Sequence, residues 1–154
     1  MKHVFQSIYL DAPLQIGRIF DVFEPETVSK GIAVFLIHGG GWKAGSRGGR
    51  QHIIMQQFND DGYICASTDY RLTGVTAFEQ LQDVRESYDR FVSVLKAKKR
   101  PLRIAVFGTS AGAHLASLLL CAEPGECGEK AQLENEWVKP VQGILQSTPP
   151  QFTP

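Results

Sequence analysis

The sequence predicts an α/β fold, a three-layer sandwich whose mostly parallel sheet is covered by helices on both faces. Three observations carry this expectation. Apolar runs at residues 32–37, 63–68 and 103–107 alternate with segments of helical character, the pattern of parallel strands joined by crossover helices. From Phe78, apolar residues recur at Leu81, Val84, Tyr88, Phe91 and Leu95, at spacings of three or four, which marks one face of a helix. Finally, 154 residues suffice for one hydrophobic core, and no boundary, internal repeat or low-complexity tract divides them.

In chain order, residues 4–9 and 18–23 read as short strands around a turn at Asp11, Pro13 and Gly17, followed by a polar connection over 25–31. The strand at 32–37 runs into a glycine loop. A helix over 51–59 ends near Asp60-Asp61-Gly62, before the strand at 63–68. Thr76 and Glu79 form a capping-box pair that opens the long periodic helix. The basic run Lys96-Ala97-Lys98-Lys99-Arg100 sits at its end, where positive charge suits the carbonyl-rich terminus. A strand at 103–107 and a helix at 111–121 follow. The polar stretch after Cys121 is interrupted by Pro124, Gly125, Gly128 and Pro140 and reads as a loop. Residues 143–146 form the last strand, and Pro149, Pro150 and Pro154 resist any continuation as helix or central strand.

Two motifs stand at strand ends. Gly108-Thr109-Ser110-Ala111-Gly112 lies between the fifth strand and the helix after it, the context of a nucleophile elbow. There a sharp turn lifts the serine clear of the sheet, and flanking glycines let backbones approach closely. Ser110 is the nucleophile candidate. Upstream, His38-Gly39-Gly40-Gly41-Trp42 ends the strand at 32–37, and such a loop can turn backbone N–H groups toward one point, where they stabilise a developing oxyanion.

These segments, with Asp69-Tyr70-Arg71-Leu72, resemble the alpha/beta-hydrolase superfamily. The likeness is to its carboxylesterase branch related to hormone-sensitive lipase, with neighbouring acetyl esterases and kynurenine formamidase-like enzymes. It covers nearly the whole chain. By resemblance, Ser110 is the catalytic nucleophile, Gly40, Gly41 and Ala111 supply the backbone donors of an oxyanion hole, and His38, Trp42 and His114 line or support the pocket. The implied activity is that of a serine ester hydrolase acting on a small-molecule ester through an acyl-enzyme, with no cofactor and no metal. Asp69 is expected to fix a loop, and Asp83 to sit within a helix.

Length is the main departure from the family pattern. Superfamily members carry the triad acid and histidine after later strands, and no position here matches either. Residues 1–154 are therefore expected to form the N-terminal part of a single domain, incomplete at the C-terminus. The alternative is a catalytically impaired fragment or interaction subunit. On either reading, the strand at 143–146 is an unfinished edge expected to pair with a complementary C-terminal fragment or with another copy in a homo-oligomer. None of the four histidines matches the missing base. His114 is expected to buttress the elbow, and His52 to have no special role.

Composition favours neither of two partner classes. Sixteen basic and sixteen acidic side chains give no net field to attract nucleic acid or an anionic membrane surface. No apolar run is long enough for a membrane span, and no secretory signal is recognisable, so a cytoplasmic protein is expected. Cys65, Cys121 and Cys127 lack metal-like spacing and read as buried free thiols in a reducing compartment, two of them in core elements.

Overall fold

The structure, a computed structural model, describes residues 3–11 and 15–146. Pro13 of the first expected turn and the proline-rich end from residue 147 lie outside the described residues.

The elements are β1 (His3–Tyr9), β2 (Ile19–Pro25), β3 (Ala33–Ile37), α1 (Arg50–Asp60), β4 (Cys65–Thr68), α2 (Ala77–Ala97), β5 (Ile104–Thr109), α3 (Ala111–Cys121) and β6 (Gln142–Gln146). They form one mixed six-stranded sheet in the order β1-β2-β4-β3-β5-β6. The β1–β2 and β2–β4 pairs are antiparallel, while β4, β3, β5 and β6 run parallel. This is the three-layer alpha/beta-hydrolase sandwich that the sequence implied. Each expected strand and helix is present, with ends shifted by at most two residues.

Alternation along the strands sorts the core into two layers. Ala33, Phe35 and Ile37 of β3 join Ile104 and Val106 of β5 beneath α2 and α3, whose Leu81, Val84, Tyr88, Phe91, Leu95, Leu115 and Leu119 cover them. Val34, Leu36, Cys65 and Phe107 point the other way and pack with Met55, Ile54 and Phe58 of α1. Phe78, in the first turn of α2, departs from the periodic face and is 55% exposed. Thr76 Oγ1 accepts from Glu79 N, and the Glu79 carboxylate accepts from Thr76 N, so the capping box forms as expected.

The expected burial of the three thiols needs a correction. All three cysteines are free, but only Cys65 is buried; Cys121, in the last turn of α3, is exposed, and Cys127 is half-buried. The stretch after α3 holds neither helix nor strand, yet α2 stitches it down. Glu86 accepts from Gln132 N, Asp89 accepts from Glu134 N and Asn135 N, and the Tyr88 hydroxyl donates to Val138 O.

Parallel register brings the carboxyl ends of β3, β4 and β5 to one edge of the sheet. Ile37 lies opposite both Thr68 and Gly108, so His38, Asp69 and Ser110 all emerge there. Crevices at such strand ends are where open α/β sheets bind ligands.

Candidate functional site

Ser110 occupies the single residue between β5 and α3 and has φ 55° and ψ −116°, a left-handed backbone that a non-glycine residue adopts only under constraint. The constraint is visible in the flanking glycines. A Cβ on Gly108 would strike the Gly112 carbonyl, and one on Gly112 would strike the Ile37 carbonyl oxygen and lie 2.5 Å from that of His38. Strand, turn and helix are thus pressed together more closely than any side chain permits. Although Ser110 stands at the N-cap of α3, its side chain makes no cap hydrogen bond, and the residue is half-buried.

The glycine loop lies directly against this turn. A Cβ on Gly39 would sit 2.6 Å from Thr109 O and 3.3 Å from Ser110 Cβ. Gly40, at φ 131°, turns the chain so that its carbonyl accepts from Lys43 N and Ala44 N. Among the described residues, the N–H groups of Gly40, Gly41 and Ala111 donate to no acceptor, whereas Ser110 N is taken by Gln146 O at 2.9 Å. A cavity of about 480 Å³ joins His38, Gly39 and Gly40 to Thr109 and Ser110, and is completed by Gly45, Ser46 and residues 48–51.

His38 is buried, with its ring stacked on Tyr70 at 4.3 Å, while the Tyr70 hydroxyl donates to His38 O at 2.9 Å. Its Nδ1 lies 2.6 Å from Gly39 O; a carbonyl only accepts, so Nδ1 carries the hydrogen and Nε2 keeps a lone pair. Burial pushes the His38 pKa down, against smaller opposing effects of the Gly39 hydrogen bond and the Asp69 charge. A neutral ring follows. The Trp42 and His114 rings meet edge-on at 5.7 Å, and burial lowers the His114 pKa too. Trp42 has φ 64°, and its carbonyl is held by Gln80 Nε2 at 3.0 Å. Gly41, Trp42, Ala111 and His114 are not among the residues that line the Ser110 cavity.

The sequence reading missed the residues that hold the loop. Arg47 Nε donates to Asp21 Oδ1, Arg47 N and Nη1 donate to Asp69, and Arg47 O accepts from Ser67. His52, expected to have no role, bonds through Nε2 to Asp21 Oδ2 at 2.8 Å. Asp69 thus fixes the loop, as its place after β4 suggested. Asp83, within α2 and fully buried, accepts from Arg18 and Arg71. The signal for Arg47 was an arginine in a run of glycines; nothing local named its acidic partners. No cluster of three or more His, Cys, Asp or Glu that could hold a metal ion occurs among the described residues. No helix among them is long and apolar enough to cross a membrane.

Comparison with known proteins places this arrangement. The chain resembles esterase B from Lactobacillus rhamnosis, with TM-score 0.74 and 23% identity, over 93% of this chain and 48% of that one. It also resembles the Thermogutta terrifontis esterase Est2 with butyrate bound, with TM-score 0.69 and 23% identity, over 84% of this chain and 48% of the other. At such identities these likenesses carry the fold alone. A probable carboxylic ester hydrolase, LipM of Mycobacterium tuberculosis, is 33% identical over 91 residues, which are 55% of this chain and 20% of that protein. The chain therefore spans about half the length of the two solved structures and a fifth of the curated relative. The BD-FAE family model matches residues 20–150, from β2 through β6. On that match, and with the three-layer fold it accompanies, the chain belongs to the BD-FAE family of the alpha/beta-hydrolase fold.

Proposed function

We propose that this chain carries the nucleophile half of a serine ester hydrolase, with Ser110 as the nucleophile. The observation that carries the reading is the left-handed Ser110, held at a strand-to-helix turn beside a cavity and withheld from capping its own helix. In the reaction, Ser110 Oγ attacks the ester carbonyl carbon while its proton passes to a base. The base then protonates the departing alcohol, and water cleaves the acyl-enzyme. The acceptor-less N–H groups of Gly40, Gly41 and Ala111 support their assignment to the oxyanion as charge develops. His38 acts as a support: its ring fixes the start of the glycine loop. His114 and Trp42 brace each other behind the elbow.

The names of similar proteins agree with this chemistry. A phosphonate-inhibited form of esterase B and forms of the Thermogutta esterase modified by tabun, sarin and paraoxon are among the matching structures. The motif at 38–42 supports the finer kinship with carboxylesterases related to hormone-sensitive lipase. The substrate is a small ester, and the chain forms the N-terminal part of one hydrolase domain. Three free thiols support a reducing, cytoplasmic setting.

A second reading, that the chain alone is catalytically impaired, is favoured by the engagement of His38 with Gly39 O and of His52 with Asp21. The deciding experiment is hydrolysis of 4-nitrophenyl acetate by the isolated chain and by the full-length protein. Turnover by the full-length form that falls about 10³-fold or more in Ser110→Ala supports the first reading. Unchanged turnover in that variant removes it. Full activity of the isolated chain, lost in Ser110→Ala, removes the second.

A further inference from the structure

Trp42 is held in its left-handed backbone from outside its own loop. Gly41 and Trp42, each with φ 64°, are the central pair of a turn closed by the Lys43 N–H, which donates to Gly40 O at 3.2 Å. Ala44 N donates to the same carbonyl at 3.0 Å. A tryptophan adopts such a φ only where its surroundings impose it. The tie comes from α2, where Gln80 Nε2 donates to Trp42 O at 3.0 Å and to Arg71 O at 2.9 Å. Carbonyls only accept, so the amide nitrogen faces both of them and both of its hydrogens are used.

The helix places Gln80 for this. The capping box of Thr76 and Glu79 fixes the first turn of α2, and Gln80 comes next, 4% exposed. Its amide thereby spans the loops that leave β3 and β4. A hydrogen-bonded chain then leads from Gln80 into the glycine loop. In a trans peptide, C=O and N–H point in opposite directions. The Trp42 carbonyl accepts from Gln80, and the N–H of that same peptide, on Lys43, donates to Gly40 O. With the Gly40 carbonyl held inside the turn, the N–H of its own peptide, on Gly41, is aimed the other way. Hydrogen bonds in such a chain polarise one another, so the donor at the far end is strengthened as well as aimed.

We propose that Gln80 is a positioning residue for the reaction at Ser110, holding the Gly41 N–H ready for the oxyanion through the Trp42–Lys43 and Gly40–Gly41 peptides. This rests on the ester-hydrolase reading above, with Gly41 as an oxyanion donor. Without the Gln80 amide, Trp42 relaxes and the Gly41 N–H loses its aim. That loss is felt when charge develops on the carbonyl oxygen and much less when the neutral ester binds.

The test uses the full-length protein with 4-nitrophenyl acetate. Gln80→Met keeps the length of the side chain and removes both donors. Its kcat and kcat/KM should fall together by about tenfold, a fraction of the loss from deleting an oxyanion donor outright, with KM unchanged. Affinity for phenylboronic acid, whose tetrahedral adduct on Ser110 mimics the transition state, should fall by the same factor. Gln80→Asn, whose nitrogen stops ~1.5 Å short of both carbonyls, should show a smaller loss of the same kind, and it carries the test where Gln80→Met does not fold. Tyr88→Phe, which removes the hydrogen bond from α2 to Val138 O, is the control and should leave both constants at the parental values. Parental kcat in the folded Gln80 variant, a loss confined to KM, a lower kcat with boronate affinity retained, or an equal loss in Tyr88→Phe would overturn the positioning role. Fluorophosphonate labelling of Ser110 in the unsubstituted protein keeps the two readings apart. Labelling with parental kcat in the Gln80 variant sinks the role of Gln80 alone, whereas a parent that neither labels nor turns over sinks the hydrolase reading and takes that role with it.

Discussion

Arg47 and Asp69 meet twice: the Arg47 backbone N–H donates to Asp69 Oδ1 at 2.8 Å, and the guanidinium Nη1 donates to Oδ2 at 2.6 Å. One carboxylate thereby fixes both the main chain and the side chain of a residue flanked by Gly45, Gly48 and Gly49. Asp21, 1% exposed, holds the same guanidinium from β2. Glycine-rich chain has the most conformational freedom to lose on folding, so the loop beside Ser110 needs such an anchor.

Removing the anchor should therefore loosen the loop and destabilise the fold. Arg47→Met leaves Asp21 buried with His52 and Ser7 as its side-chain partners among the described residues, and should cost on the order of 2 kcal/mol in urea unfolding. Arg47→Lys should recover part of that loss, since an ammonium keeps the charge but not the fork. Equal stability of Arg47→Met and the parent would show that the ion pairs do not hold the loop.

Gly112→Ala tests the close approach of α3 to β3. The new methyl would press on the carbonyls of Ile37 and His38, both backbone and unable to swing aside. A loss of about 3 kcal/mol is expected, read as a lowered melting temperature. Gly41→Ala is the contrasting control: nothing lies within 4 Å of its Cβ position, so only the φ of 64° opposes it. A Gly112→Ala protein as stable as the parent would contradict the packing described at the elbow.

Burial of His38 gives a pH dependence with a definite sign. Its folded-state pKa lies below the ordinary 6.5, so the unfolded chain takes up the proton first as pH falls. This contribution leaves stability intact above about pH 6.5 and erodes it progressively below that value. His114 acts in the same direction. Melting curves between pH 8 and 5 should show the loss, and His38→Asn should lessen it relative to the parent. A parent whose stability rises between pH 6.5 and 5 would contradict a neutral buried ring.

The outer strand β6 hydrogen-bonds to β5 on one side, and its Leu145 is 39% exposed. Such an edge pairs readily with another strand. Light scattering after size-exclusion chromatography of the isolated chain should find association. A stable monomer with strong hydrogen-exchange protection of β6 would count against it.

Most of the fold is encoded in local pattern. Strand and helix positions were legible because a short continuous apolar run ended by glycines, such as residues 32–37, reads as a buried strand, whereas the face through Leu81 to Leu95 repeats every three or four residues. Ser110 and the glycine loop were legible because their geometry requires glycine at fixed offsets, as the contacts of Gly108 and Gly112 show. The buried charges were not. Asp83, Arg85, Glu86 and Asp89 look like the solvent face of α2, but all are covered. Asp83 is taken by Arg18 and Arg71, Arg85 lies 4.6 Å over the Trp137 ring, and Asp89 receives the backbone of the 130s. Most of these partners lie dozens of residues away, and no local window reports them. The anchor at Arg47 was hidden for the same reason, with Asp21 and Asp69 each more than twenty residues distant.

The nucleophile assignment to Ser110 is best tested by covalent chemistry. Full-length protein treated with a fluorophosphonate, digested and sequenced by mass spectrometry should carry the adduct on Ser110, and Ser110→Ala should carry none. A folded full-length protein that stays unlabelled at Ser110, or is labelled only at another residue, would contradict the account.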